Sequence, residues 1–156
     1  MDELRVVELV EALAPELKLL AKQIHDDPEL GGQEFKACTW QAELLSKYGF
    51  TVERDFCGLT TAYRASYQGQ KQGAKIAFLA EYDALPGLGH GCGHNLIAMA
   101  AVGCGIVCRE FADKYGGQID VIGTPAEESS NGKVPMAAKG VFNQYDAVMM
   151  VHPAFT

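Results

Sequence analysis

The sequence lacks the features that mark several classes of protein. Its 156 residues include 13 basic and 20 acidic side chains, a net charge of −7, which argues against nucleic acid or an anionic membrane as a partner. No run reaches about 18 consecutive apolar residues, so we expect no membrane span. The first residues, Met1-Asp2-Glu3-Leu4-Arg5, have neither the basic start nor the apolar core of a signal peptide, and we expect a cytoplasmic location.

The cysteines do not form the pattern of a disulfide framework. There are five, an odd number without compact spacing. Cys104 and Cys108 lie four residues apart in an apolar stretch and are interpreted as small core residues. We also interpret Cys38 and Cys57 as structural. The sequence has no Cys-x-x-Cys pair, which weakens the hypothesis of a thiol redox protein acting through Cys92.

The composition is that of a globular protein of one domain, with 48% hydrophobic and 21% charged residues and 17 glycines. Apolar runs and glycine-rich turns alternate along the chain, which predicts an α/β fold with a largely parallel sheet flanked by helices. Helices are predicted at 3–26, with a break or kink at Pro15, and at 33–48, 95–114 and 136–139. Strands are predicted at 50–56, 60–67, 75–80, 119–123 and 147–151.

One glycine-rich loop carries several metal-binding side chains. Leu88-Gly89-His90-Gly91-Cys92-Gly93-His94-Asn95 places a thiol and two imidazoles within five positions, directly before an apolar run. Cysteine and histidine are the usual ligands of zinc and similar divalent metals. A glycine-rich turn before a buried helix is also common, however, and by itself this loop leaves metal binding and simple packing open.

Polar clusters also follow three predicted strands. Glu81-Tyr82-Asp83 comes after the strand at 75–80, Thr124-Pro125-Ala126-Glu127-Glu128 after the strand at 119–123, and His152-Pro153 after the last strand. In a parallel sheet the ligand site lies beyond the carboxyl ends of the strands. Because a merely solvated surface would scatter these groups, their placement favours a metal site at this rim.

Three of these motifs, in this order, resemble the M20 family of metallopeptidases and amidohydrolases. They are Glu81 to Asn95, Gly-Thr-Pro-Ala-Glu-Glu at 123–128 and Met-Val-His-Pro at 150–153; the segment 24–30 and Glu34 also fit. The branch that they resemble most contains aminobenzoyl-glutamate hydrolase and peptidase M20 domain-containing protein 2. The resemblance implies a zinc-peptidase-like α/β catalytic domain with two divalent metal ions, zinc or manganese, interrupted by a lid domain that often mediates dimerisation.

The resemblance also implies roles for individual residues. Cys92, His94, Glu128 and His152 match metal ligands, and we expect their ligand atoms to converge about 2.0–2.3 Å from one or two metal positions. Glu127 matches the general base, which would take a proton from the attacking water and deliver it to the leaving nitrogen. Asp83 matches an acidic position beside the metals. His90 lies in the motif without a ligand role.

The sequence departs from the family pattern at Asn95, where many relatives carry aspartate. Asparagine cannot supply the negative charge that orients a ligand imidazole, although it can accept a hydrogen bond or cap the helix. Because the branch named above tolerates asparagine there, the change indicates a subtype of the family more than a loss of activity.

The second departure is length, because the lid and a further histidine ligand would come after residue 156. We therefore expect residues 1–156 to be the N-terminal part of an M20-type catalytic domain, with little or no hydrolase activity of their own. We also expect uncovered apolar surface that promotes association, and a full-length protein that can form a homo-oligomer.

The function implied is metal-dependent hydrolysis of amide bonds in N-acyl amino acids or small dipeptides. The competing hypotheses are a non-catalytic metal-binding fragment or interaction module and, third, the thiol redox protein. Metal content separates the first two from the third. Turnover of an acyl amino acid separates the first from the second.

Overall fold

A computed structural model describes residues 3–154, in which one five-stranded sheet lies between two layers of helices. The helices are α1 (Glu3–Asp26), α2 (Phe35–Lys47), α3 (His94–Tyr115) and α4 (Lys133–Ala138). The strands are β1 (Thr51–Arg54), β2 (Tyr63–Gln68), β3 (Lys75–Ala80), β4 (Gln118–Gly123) and β5 (Ala147–Met149), and two 3₁₀ turns lie at Phe56–Gly58 and Val141–Gln144. The predicted α/β class is confirmed.

The strand order is β1-β2-β4-β3-β5, and the sheet is mixed. Strand β3 is parallel to both neighbours, β4 and β5, whereas β2 is antiparallel to β1 and to β4. The connections explain this difference. A parallel pair needs a crossover of a dozen or more residues, which α3 and α4 provide, and the short links at 55–62 and 69–74 cannot make one. Only the half of the sheet that carries the strand-end motifs is therefore parallel.

The side chains of β3 alternate between two hydrophobic clusters. Phe78 and Ala80 belong to the cluster beneath α1, α2 and α3, and Ala77 and Leu79 belong to the smaller cluster that includes Met136 of α4. Both faces of the strand are buried, which explains why its sequence is a continuous apolar run. The carboxyl end of β3 is thus enclosed by helices on both sides.

Two helices differ from the predicted ones. Helix α1 continues through Pro15 without interruption. Pro15 lies on the exposed side of the helix, where water can solvate the carbonyl group that loses its hydrogen bond. Helix α4 begins at Lys133, three residues earlier than predicted, because Pro135 falls in its first turn, where a proline is tolerated.

Helix α3 is the most buried helix of the layer that contains α1 and α2, and it packs directly on the sheet. Within the described residues it is also the one helix long and apolar enough to cross a membrane by length and composition, and 56% of that apolar stretch is buried in the fold. It packs against α1 and the sheet, and a Cβ at Gly105 would lie 2.3 Å from a methyl group of Val121. A core helix meets the length and composition test as readily as a membrane span, so the test gives only weak evidence for a membrane.

All five cysteines are free thiols. Cys38 is buried in the larger cluster, and Cys104 and Cys108 pack against it. Burial raises the pKa of Cys108 to about 11. Cys104 and Cys108 are therefore core residues, as their spacing predicted, and Cys38 is a core residue as well.

Candidate metal centre

His94 lies where the three strand-end motifs meet. It is the first residue of α3 and is 1% exposed. Its Nε2 atom is 3.5 Å from Oε2 of Glu81, 3.7 Å from Oε1 of Glu128 and 4.0 Å from Oε2 of Glu127. The imidazole of His152 meets that of His94 edge to face, with 5.9 Å between ring centroids.

Two groups of potential metal ligands share His94. One is Cys92, His94 and Glu128, and the other is Glu81, His94 and His152; within each group the ligand atoms all lie within 4.8 Å of one another. The four residues that the sequence motifs indicate as ligands are thus divided between two adjoining groups. Glu81 is the additional member.

Asp83 orients His94. The Nδ1 atom of His94 donates to the carbonyl oxygen of Asp83 at 2.9 Å and to its Oδ1 at 3.0 Å, so Nε2 faces the cluster. Burial alone would raise the pKa of Asp83, but the hydrogen bonds from His94 and from the Glu128 amide lower it below its ordinary value. Burial lowers the pKa of His94, and the hydrogen bond and charge of Asp83 raise it by more. Each member of the pair therefore favours the charged form of the other.

The same carboxylate positions the loop after β4. Oδ2 of Asp83 accepts a hydrogen bond from the backbone amide of Glu128 at 2.9 Å. The side chains of Glu127 and Glu128 are 32% and 27% exposed, so both reach the open side of the cluster. The hydrogen bond to Glu128 raises the pKa of the Cys92 thiol, and burial and the charges of Glu128, Glu127 and Asp83 raise it further. Cys92 is therefore a thiol before a metal binds.

Glu34 holds this loop from the opposite side. The Glu34 carboxylate is fully buried, accepts from the Ala126 amide at 2.6 Å, and accepts from the Thr61 hydroxyl at 2.8 Å. Ala126 has a positive φ of 59°, a conformation that side chains other than glycine adopt at a cost. The hydrogen bond from the Ala126 amide to Glu34 fixes the residue directly before Glu127.

Two other motif residues take no part in the cluster. Neither ring nitrogen of His90 has a hydrogen-bond partner among the residues that the structure describes, and burial lowers its pKa. The side-chain amide of Asn95 donates to the carbonyl oxygen of Ala21 at 3.2 Å. The asparagine therefore ties α3 to α1, a contact to which an aspartate could not donate.

Sequence reasoning missed Glu81 and Lys133. Glu81 directly follows β3 and is 1% exposed, and the ammonium group of Lys133 donates to its Oε1 atom. The strand-end rule placed Glu81 and Asp83 together in the polar cluster after β3, but only Asp83 also matched a position in the family pattern. Lys133 had no such signal, since it begins α4 and only the fold brings it to Glu81, 52 residues away in the sequence.

The donor set fits a divalent metal. Oε2 of Glu81 and Nε2 of His94 are buried and have no hydrogen-bond partner among the described residues, and buried polar atoms without a partner are rare and unfavourable. A thiol, imidazoles and carboxylates together suit zinc or a similar transition metal. The histidine also makes the hydrogen bond to a carboxylate that is typical of a metal ligand.

Comparison with known proteins identifies a matching family and several relatives of this chain. Residues 77–154 match the peptidase family M20/M25/M40. Xaa-Arg dipeptidase of Mus musculus is 36% identical over 166 residues, covering 96% of this chain and 38% of the dipeptidase. A p-aminobenzoyl-glutamate hydrolase polypeptide from Escherichia coli K12 is 38% identical over 153 residues, covering 86% of this chain and 31% of that polypeptide. The chain thus spans about a third of the length of these relatives.

Solved structures share the fold. A dinuclear metal-binding peptidase of the M20 family from Bacillus subtilis superposes with a TM-score of 0.77 at 25% identity, covering 88% of this chain and 42% of that peptidase. An aminobenzoyl-glutamate utilization protein from Klebsiella pneumoniae gives a TM-score of 0.78 at 21% identity, covering 96% and 46%. Residues 77–154, half of the chain, match this family, and the strand-end motifs meet at His94. The chain therefore belongs to the peptidase family M20/M25/M40.

Proposed function

We propose that this chain carries the metal centre of a metal-dependent amidohydrolase or dipeptidase that acts on N-acyl amino acids or small dipeptides. The observation that carries the proposal is the convergence of Cys92, Glu128 and His152 on His94, since each comes from a different strand end. The names of the relatives, a dipeptidase and an aminobenzoyl-glutamate hydrolase, support this substrate class.

In this proposal Cys92, His94, Glu128 and His152 hold divalent metal, zinc or manganese. The two ligand groups overlap at His94, whose Nε2 would hold a single ion, and the related peptidase from Bacillus subtilis is described as dinuclear. A bound divalent metal polarises the scissile carbonyl group and makes water a nucleophile at neutral pH. Asp83 keeps the His94 ring in one orientation, so the ligand atom is in place before a metal arrives.

Glu127 is the proposed general base. Its carboxylate is 4.0 Å from Nε2 of His94 and is 32% exposed, so it borders the cluster and also faces the open side from which a substrate arrives. Glu127 accepts the proton of the attacking water and delivers it to the amide nitrogen that leaves. Its neighbour Glu128 is held by Asp83 and points to Cys92. The two adjacent carboxylates therefore have different roles, Glu127 as the base and Glu128 as a metal ligand.

The test compares Glu127→Gln with Glu128→Gln in the purified protein. Metal content and affinity for zinc and manganese are measured first, and turnover is then assayed on a panel of N-acyl amino acids and dipeptides. Glu127→Gln should lower kcat by about 10²- to 10⁴-fold and leave metal binding intact, whereas Glu128→Gln should weaken metal binding itself. Equal loss of metal in both variants would contradict the two roles. Because residues 1–156 alone are expected to have little activity, turnover is decisive only in a longer form of the protein, where metal binding without turnover would favour a metal-binding module over an enzyme.

A further inference from the structure

A partly buried ion pair adjoins the metal cluster. Lys133, the first residue of α4, donates from its ammonium group to Oε1 of Glu81. The Glu81 side chain is 1% exposed and that of Lys133 is 23% exposed. Removing both charges from water is unfavourable, so a buried ion pair is weak evidence of a contribution to stability. The position of this pair points to another role.

The second oxygen of Glu81 faces the cluster. Oε2 of Glu81 lies 3.5 Å from Nε2 of His94, and neither atom has a hydrogen-bond partner among the described residues. His152 completes this ligand group, with all three ligand atoms within 4.8 Å of one another. A cation between these atoms would satisfy all of them. Glu81 thus presents one oxygen to Lys133 and the other to a metal position.

The ammonium group of Lys133 lies beside the strongly acidic site around His94. The carboxylates of Glu81, Asp83, Glu127 and Glu128 surround His94 within 4.0 Å of its ring nitrogens. Across the described part of the chain, Lys133 is the one lysine or arginine that pairs with any of the four. Because its ammonium group lies next to the position where a metal would bind, it repels that metal and neutralises one of its ligands.

We propose that Glu81 is an additional metal ligand and that Lys133 is its counter-ion, which stabilises the metal-free site and competes with the metal for the Glu81 carboxylate. This inference rests on the metal centre of the proposed function. Lys133 thereby sets the metal affinity below the value that the acidic cluster would otherwise reach. A lysine that only anchored α4 would have no such effect.

The proposal predicts opposite changes in metal affinity when the two residues are replaced. Glu81→Gln removes the charged ligand and should weaken the binding of zinc and manganese by at least about 10- to 100-fold, the loss typical even for a side chain that only orients a ligand. Lys133→Met removes the competing charge and should tighten binding by about tenfold or more, since a nearby unit charge acts strongly on a divalent ion at the low dielectric of a buried site. A lysine with a purely structural role would give weaker binding, or no change, when replaced.

The measurement is the affinity of the purified protein for zinc and for manganese, by competition with a chromophoric chelator at constant neutral pH. Lys139→Met is the matched control, because Lys139 is exposed and donates to the Cys57 carbonyl oxygen outside the cluster; it should leave affinity unchanged. Lys133→Arg keeps the charge and should not tighten binding. Circular dichroism verifies that each variant is folded.

If Lys133→Met fails to fold, the double variant Glu81→Gln/Lys133→Met removes both charges together, a replacement that folded proteins often tolerate. It should bind metal more tightly than Glu81→Gln does, because the repulsive charge of Lys133 is gone, and equal or weaker binding than in Glu81→Gln would contradict the role of Lys133. Unchanged affinity in Glu81→Gln, or unchanged or weaker affinity in a folded Lys133→Met, would overturn this inference and leave the metal centre standing. A wild-type protein that binds neither zinc nor manganese would overturn both.

Discussion

At the scale of single residues, one buried carboxylate outside the cluster controls the geometry of the proposed catalytic loop. Glu34 reaches across 92 residues of sequence to the amide of Ala126. Burial raises its pKa, and the hydrogen bonds from Thr61 and Ala126 offset this effect only in part. The residue is thus fully buried in a site that disfavours its charged form.

This raised pKa predicts a pH-dependent effect of Glu34→Gln. As pH rises above the ordinary glutamate pKa of 4.5, the unfolded chain loses its proton before the folded protein does, so the folded wild type loses stability relative to the unfolded chain. The loss is complete once pH passes the folded pKa. Glutamine has no charge to lose and can bond both partners, so the free energy of unfolding of Glu34→Gln relative to wild type should rise between about pH 4 and neutrality.

Urea denaturation at a series of pH values measures this difference. The control Glu11→Gln removes one carboxylate from the exposed surface of α1, so it separates the effect of burial from that of net charge. A Glu34→Gln difference that stays constant with pH would contradict the prediction. The position of Glu127 and Glu128 should change little in this variant, because the amide oxygen can still accept from Ala126.

At the scale of elements, α3 is fixed at its first turn by contacts on two sides. His94 is bonded to the strand-end segment after β3, and Asn95 is bonded to the Ala21 carbonyl oxygen of α1. Gly93, directly before the helix, has a positive φ of 78°, and a Cβ there would meet Pro153 at 3.0 Å. The glycine permits the close approach of the segment that carries His152.

Asn95→Asp should destabilise the protein, although it introduces the residue common in relatives. The side chain is 7% exposed, and an aspartate would place a carboxylate against the Ala21 carbonyl oxygen with no proton to donate. We expect a loss of about 1–3 kcal/mol in the free energy of unfolding, of which the favourable field of the helix N-terminus recovers only about 0.3–1 kcal/mol.

Urea denaturation at neutral pH checks this expectation. Asn143→Asp, at an exposed position, adds the same charge and should change stability little. Wild-type stability in Asn95→Asp would show that the contact between α1 and α3 does not depend on the donor of Asn95.

At the scale of the whole molecule, the proposed metal centre exists only in the folded chain. Its ligands follow β3, β4 and β5 and are separated by up to 71 residues, from Glu81 to His152. A metal that binds only the folded state stabilises it by mass action. Folding and metal binding are therefore linked.

Zinc or manganese should raise the melting temperature of the protein. At a free metal concentration of 100 times Kd the expected stabilisation is about 2.7 kcal/mol. His94→Ala removes the residue shared by both ligand groups and should abolish the shift, whereas Lys139→Met should retain it. Differential scanning calorimetry with and without metal measures the effect, and an equal shift in His94→Ala would exclude this cluster as the binding site.

Much of the fold could be predicted from the sequence because the signals are local. Apolar runs that end at glycine or at polar residues indicated the strands, and a long apolar stretch after a glycine-rich loop indicated α3. Since the carboxyl ends of parallel strands meet at one edge of a sheet, the motifs after β3, β4 and β5 could be expected together. The family resemblance then added roles, which stay predictions, for Glu127 and the four ligands.

Other features depended on the tertiary structure, because they join residues that no local pattern connects. The insertion of β4 between β2 and β3 follows from which strands pair, and α1 passes Pro15 because that side of the helix faces solvent. The contacts of Glu34 with Ala126, Asn95 with Ala21, and Lys133 with Glu81 span 92, 74 and 52 residues. The sequence alone thus determined which side chains stand at the strand ends. The packing of helices on both faces of β3 decided which of them share a buried site, because burial and charge pairing arise only when distant segments meet.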